Sequence, residues 1–271
     1  MKFALTTSTY GSVELYEAVR RIRAFAYDAI EITAVTGQHI ATDRFGPDEC
    51  RQFKAELDRI GLAVSAITSG PCPPLAAEEP VQYVRSSIDL ARKLGARVVI
   101  TYVTLTDQAV SAGEAKWRPD LCARLAALAD YASKNGVWLA LETEPGMLVD
   151  NPRLGIAIVR EVAHPSLRYN LCVPHILPAI APQETVHDIV DLAADLIVNT
   201  HLADIKNRVH KHLVPGLGDV DFKALFAHLE RAGYQGYLTW DLYPYANESD
   251  YAAGATMDFL RRLGRAETAP A

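Results

Sequence analysis

Four short runs in the second half of the 271-residue chain end on side chains that can hold a cation or move a proton. In Leu139-Ala140-Leu141-Glu142-Thr143-Glu144-Pro145-Gly146 an apolar run closes on a carboxylate, and a second carboxylate follows two residues on. A carboxylate buried without a partner costs several kcal/mol, so a cation, an arginine or a proton has to compensate it. A plain salt bridge to a Lys or Arg of a neighbouring strand would do this without chemistry. Pro145 indicates that the strand has already ended, so Glu142 is read as a ligand and Glu144 as part of a pocket wall. Asn170-Leu171-Cys172-Val173-Pro174-His175 sets a thiol and an imidazole three residues apart. Either could bind a metal, although Cys172 reads equally as a small buried apolar residue. His175, beside prolines in what reads as a loop, is less suited to a core. Asn199-Thr200-His201-Leu202-Ala203-Asp204 and Thr239-Trp240-Asp241-Leu242-Tyr243 each put one hard or borderline donor at the end of an apolar run.

Residues this far apart meet only if the fold gathers them, and the chain carries the elements to do so. Eight short runs rich in Val, Ile, Leu and Thr alternate with amphipathic stretches: 3–7, 29–32, 63–67, 97–102, 138–142, 168–171, 196–201 and 237–241. Most do not alternate in polarity, as expected of strands buried on both faces of a parallel sheet. A repeat of roughly 34 residues per strand-helix unit fits parallel strands joined by helical crossovers. The expected architecture is one (β/α)8 TIM barrel over residues 1–264, followed by a loose tail at 265–271. An open doubly wound sheet is the alternative, but no G-x-G-x-x-G follows an early strand. In a closed barrel strands five to eight adjoin, so Glu142, His175, His201 and Asp241 converge on one half of its mouth. Mixed carboxylate and imidazole donors suit Mn, Co, Mg, Fe or Zn without choosing among them.

Helix ends are legible in three places. Pro47-Asp48 opens a helix that closes at Gly61, Asn151-Pro152 caps another, and Asp219 or Asp221 starts a third with a Phe222, Leu225, Phe226, Leu229 stripe facing the barrel. Four segments after strands are long: Thr33 to Phe45, Ser69 to Pro80, Thr143 to Asn151 and Leu202 to Asp219. Such segments build the active sites of barrels. The last carries Lys206, Arg208, His210, Lys211 and His212 before Pro215-Gly216-Leu217-Gly218.

A formal charge of -6 argues against a nucleic-acid partner, which calls for a concentrated basic face. The expected partner is a small carbohydrate. No stretch is long enough to span a bilayer, and the first residues turn polar too early for a secretory signal. Cys50, Cys72, Cys122 and Cys172 form no C-x-x-C pair, which points to a reducing compartment; a cytoplasmic location is expected. No glycine nest speaks for phosphate.

The ordered series of Glu142, the Asn170 to His175 segment, His201 with Asp204, His212-x-x-Pro215-Gly216-x-Gly218-x-x-Asp221-Phe222, and Gly233-Tyr234-Gln235-Gly236-Tyr237 resembles the xylose isomerase-like TIM barrel superfamily, in its sugar phosphate isomerase and epimerase branch. The resemblance runs nearly end to end. It implies a divalent metal held by a strand-five glutamate, a strand-six aspartate, a strand-seven histidine and a strand-eight glutamate, with a histidine three residues after the aspartate touching substrate. Mapped onto this chain, the metal set is Glu142, Cys172, His201 and Asp241, and His175 is the substrate contact. Cys172 and Asp241 depart from the pattern. The endonuclease branch is a poorer match, because His210 and His212 stand where it has an acidic residue and a histidine, and Tyr102 stands where it has a histidine.

The resemblance further implies a metal-dependent isomerase or epimerase acting on a ketose or keto-sugar through an enediolate. Glu142 and Asp241 would move the carbon-bound proton, while His175 and either Arg208 or Lys206 would hold substrate oxygens. Glu144 and Tyr102 would line the pocket, and Trp117, Trp240 and Tyr243 could add apolar wall or pack as core. A keto-acid lyase or dehydratase on the same fold is the first alternative. A non-catalytic sugar-binding accessory protein, suggested by Cys172, is the second. Barrels of this kind often pair, so a homo-oligomer is possible.

Overall fold

The computed structural model describes residues 1–42, 45–75 and 78–266. Eight strands, β1 Lys2–Thr6, β2 Ala29–Thr33, β3 Ala63–Thr68, β4 Val98–Thr101, β5 Trp138–Leu141, β6 Leu167–Cys172, β7 Ile197–Leu202 and β8 Tyr237–Trp240, pair in parallel and in chain order. The pairing of β1 with β8 closes them into a barrel. Helices α1 Leu15–Ala24, α2 Pro47–Ile60, α3 Glu78–Leu94, α4 Asp107–Ala112, α5 Glu114–Lys134, α6 Pro152–Val162, α7 Val173–Ala179, α8 Val186–Ala193, α9 Phe222–Arg231 and α10 Ser249–Arg262 form the crossovers and the rim.

The strands agree with the sequence reading to within one or two residues at each end. So do the helix ends: Gly61 closes α2 at φ +66°, Asn151 caps α6 through Arg153, and Asp221 caps α9 through Ala224. His175, expected in a loop, lies in α7 instead. Pro174 occupies the first turn of that helix, where its missing N–H is not needed. Of the expected tail, Arg265 is held by the Glu230 carboxylate, and residues 267–271 lie outside the described residues, as do 43–44 and 76–77 of two long segments.

Burial on both faces of each strand divides the interior in two. Outward residues such as Ile30, Ile32, Tyr169 and Leu171 pack under the helices in one large apolar cluster. Ala66, Val98, Ile100 and Ala140 form a smaller one, packed by Trp138 and Val198, that plugs the barrel itself. Alternation along β4 and β5 then carries Tyr102 and Glu142 to the mouth above this plug. Two register shifts, between Ile30 and Glu31 and between Tyr169 and Asn170, come just before polar residues that turn inward. Irregularities of this kind re-aim side chains beside functional sites.

Candidate active site

Glu31, Glu142 and His201 make the centre of the mouth, and each is almost fully buried. His201 Nε2 lies 2.6 Å from Glu31 Oε1, and its Nδ1 lies 3.1 Å from Glu142 Oε1. Glu31 accepts a further hydrogen bond from Thr68 Oγ1 at 2.6 Å and one from Asn199 Nδ2 at 3.0 Å. Asn199 Nδ2 also reaches Asn170 Oδ1, and Asn170 Nδ2 stands 3.1 Å from His201 Nδ1. Four strands therefore fix one imidazole. Burial works against charge on Glu142, yet His201 and His175 outweigh it and hold the carboxyl well below the usual range. Burial would likewise depress His201, but Glu142 and Glu31 keep its pKa well above the ordinary value. No Lys or Arg neutralises Glu142 among the described residues; its ion-pair partners are His175 and His201.

A second group adjoins the first. His175 Nδ1 lies 3.0 Å from the Thr143 carbonyl and 3.1 Å from Glu142 Oε1, so it carries the hydrogen. His212 Nδ1 lies 2.7 Å from the Asp241 carbonyl and 3.2 Å from Asp241 Oδ2. His212 Nε2 is buried with no partner, as is His210 Nε2. The three rings meet edge to face, with centroids 4.8 to 5.5 Å apart, and Tyr243 tilts against His212. Burial, then the neighbouring His175 and His212, push His210 down to about 4. Asp241 takes a 3.1 Å hydrogen bond from Thr6 Oγ1. His212 overcomes the effect of burial and holds Asp241 below its ordinary range, whereas burial and then Glu142 raise Glu144.

The donors fit a divalent cation. Ligand atoms of Glu142, Cys172 and His201 lie within 4.8 Å of one another, and so do those of Cys172, His175 and His212. The bond from His201 to Glu31 resembles the outer carboxylate that commonly orients a metal-bound imidazole. A buried carboxylate cluster also needs positive charge, which a cation or an imidazolium supplies.

These groups open into a cavity of about 210 Å³ lined by Glu31, Glu142, Glu144, His175, His201 and Asp241 on one side. Thr6, Ser8, Thr33, Gln38 and Thr68 of the first three strands and their following segments line another side, with Tyr102 and Tyr243 at the edge. Lys206 and Arg208 do not line it. Lys206 is exposed, and the Arg208 guanidinium donates to the carbonyls of Ile180, Ala181 and Glu184, tying the α7–α8 connection. Trp240 packs on Phe222 in the core, and Trp117 is buried in α5. Sequence reasoning missed Glu31, although an acid inside Ala29-Ile30-Glu31-Ile32 was the available signal.

A sequence model described as the xylose isomerase-like TIM barrel matches residues 19–263. The chain belongs to that family. An uncharacterized protein of Methanocaldococcus jannaschii is 23% identical over 248 residues, covering 88% of this chain and 83% of that one. Two solved structures superpose closely on the barrel. The 3-keto-D-glucoside 4-epimerase of E. coli does so with a TM-score of 0.80 at 17% identity, covering 97% of this chain and 99% of the other. The zinc-bound IOLI protein gives 0.79 at 16% identity, over 97% and 98%. Within the family fold, the mouth just described lies at the carboxyl ends of the strands, where barrel enzymes place their chemistry. No helix among the described residues is long and apolar enough to cross a membrane.

Proposed function

We propose that this barrel is a divalent-metal-dependent isomerase or epimerase of a ketose or keto-sugar, working through an enediolate. The observation that carries the reading is the pair of carboxylates, Glu142 after β5 and Asp241 after β8, that line one cavity with His201 of the intervening β7. Each is oriented by its own partners: Glu142 by His201 and His175, Asp241 by Thr6 and His212. Both are anionic at neutral pH, the state needed to accept a proton from carbon. Protonation from the opposite face by the second carboxylate, once it has taken a proton from solvent, inverts the carbon while the first releases its proton to solvent; return by the same carboxylate to the neighbouring carbon isomerises the sugar. Glu144, whose pKa burial and then Glu142 raise, lines the same cavity within reach of a substrate oxygen.

A cation held by Glu142, Cys172, His201 and Asp241 would supply Lewis-acid polarisation of the substrate carbonyl. Gln38, Thr33 and Ser8 offer neutral donors and acceptors to sugar hydroxyls, and His175 offers a ring N–H. The cavity measures about 210 Å³, room for a small molecule such as a monosaccharide. Four carboxylates line it, and no Lys or Arg does among the described residues, which favours an uncharged sugar over a phosphorylated one. Nearness to a sugar epimerase fold and to a zinc-bound relative is consistent with this reading.

The test is product analysis. Metal-loaded protein incubated with free ketohexoses in deuterated water is expected to give isomers of unchanged carbon skeleton with deuterium at the reacting carbon. Loss of water from the product would favour a dehydratase. Sugar-dependent stabilisation without any conversion would leave a binding protein.

A further inference from the structure

Cys172 is the donor common to both groups at the mouth: it stands with Glu142 and His201 on one side and with His175 and His212 on the other. Wherever a cation settles among these atoms, sulfur is within reach. The two imidazoles of the second group are prepared for ligation. His175 and His212 each commit Nδ1–H to a backbone carbonyl, of Thr143 and of Asp241, so Nε2 is the ring nitrogen left to meet a cation. For His212 that atom is buried without any partner. Cys172 is 1% exposed, so an ion beside it sheds its water. Magnesium parts with water reluctantly and takes oxygen ligands, whereas zinc and cobalt(II) accept thiolate and imidazole in compact four-coordinate sites.

We propose that Cys172 makes this mouth select a thiophilic divalent cation, of the zinc and cobalt(II) class, against magnesium and manganese. On binding, the thiol loses its proton to solvent and the thiolate sulfur becomes a ligand. The proposal rests on reading the mouth as a cation site, and it adds the identity of the ion and the atom that chooses it.

The experiment compares metal-free native protein with the Cys172→Ser and Cys172→Asp variants, each checked for native circular dichroism. Affinities for zinc, cobalt(II), manganese and magnesium are measured by calorimetric titration, and the cobalt(II) complexes are examined by near-ultraviolet absorption. Any nitrogen and oxygen site prefers zinc to manganese, so the change between proteins is the reading. The native cobalt(II) protein is expected to show a sulfur-to-cobalt charge-transfer band that both variants lose. The preference for zinc over manganese should fall by at least about tenfold in Cys172→Asp, comparable with the effect of disturbing a metal's ligand shell. A native cobalt(II) complex without the sulfur band, and with the zinc-to-manganese ratio unchanged in both variants, would overturn the proposal while leaving the cation site intact. If none of the four ions binds the native protein, the cation site fails and the proposal falls with it.

Discussion

Glu31 is fully buried and holds the His201 ring through a 2.6 Å contact with Nε2. Glu31→Gln keeps the size and loses the charge that accepts Nε2–H. Metal affinity should fall by about 10- to 100-fold, with folding retained, as calorimetric titration would show. A change at Glu142 should act differently, because the proposed mechanism has that carboxylate move the carbon-bound proton. Glu142→Gln and Asp241→Asn should each lower kcat by on the order of 10²- to 10⁴-fold, measured as deuterium incorporation into the sugar. Equal loss of kcat in Lys206→Ala or Arg208→Ala would contradict the placement of those cations outside the cavity. In the sequence, residues that line the mouth stand out where a donor ends an apolar run. Glu142, His201 and Asp241 announced themselves in that way. Glu31 did not, because β2 is apolar on the face toward the helices and polar on the face toward the axis, and the run reads as one buried strand. Thr6 and Thr68, which orient Asp241 and Glu31, are ordinary strand residues by type, and only closure of the barrel gives them a carboxylate to hold.

Elements carry these side chains, and two of them depend on close backbone packing. The segment after β7 is organised by Asp204, whose carboxylate accepts the N–H groups of Ile205, Gly216, Gly218 and Val220. The Pro215-Gly216-Leu217-Gly218 turn is therefore a hydrogen-bonded cage around one acid, and a Cβ at Gly218 would fall on that acid. Asp204→Ala should orphan these donors and destabilise the protein by on the order of 3 kcal/mol, measured by chemical denaturation. In α6, Gly155 lets the helix approach Thr143, and an added Cβ would strike the Thr143 methyl. Gly155→Ala should cost about 1–3 kcal/mol and also weaken metal binding, since the Thr143 carbonyl holds His175. The ends of α2, α6 and α9 were legible because Gly61, Asn151 and Asp221 each have a local capping reason. The helical turn around His175 was not, because two prolines within seven residues read as a break, while the first fits the opening turn of a helix.

For the whole molecule, the eight-fold alternation of strand and helix made the barrel legible from the sequence, while the half of the mouth built by β1 to β3 stayed hidden, since its residues carry no strong chemical signature one by one. The gathered charges also tie folding to pH. Glu142 has its pKa lowered from 4.5, so its contribution is present above pH 4.5 and is lost as pH falls through the folded value. His201 and His175 have theirs raised from 6.5, so their contributions are present below pH 6.5 and are lost as pH rises through the folded values. The metal-free protein should accordingly draw most stability from this cluster between pH 4.5 and 6.5. A bound cation replaces the imidazole protons, so loading should flatten the alkaline side of the curve of Tm against pH. Identical curves with and without metal would argue against a cation at the mouth.

The most direct trial is the metal content of the purified protein, taken by elemental analysis beside Glu142→Gln and His201→Ala after all three have been loaded and freed of excess ion. The native chain is predicted to retain stoichiometric divalent metal, and each variant to lose most of it while remaining folded. Equal retention in all three, or none in the native protein after loading, would contradict a cation shared by these groups.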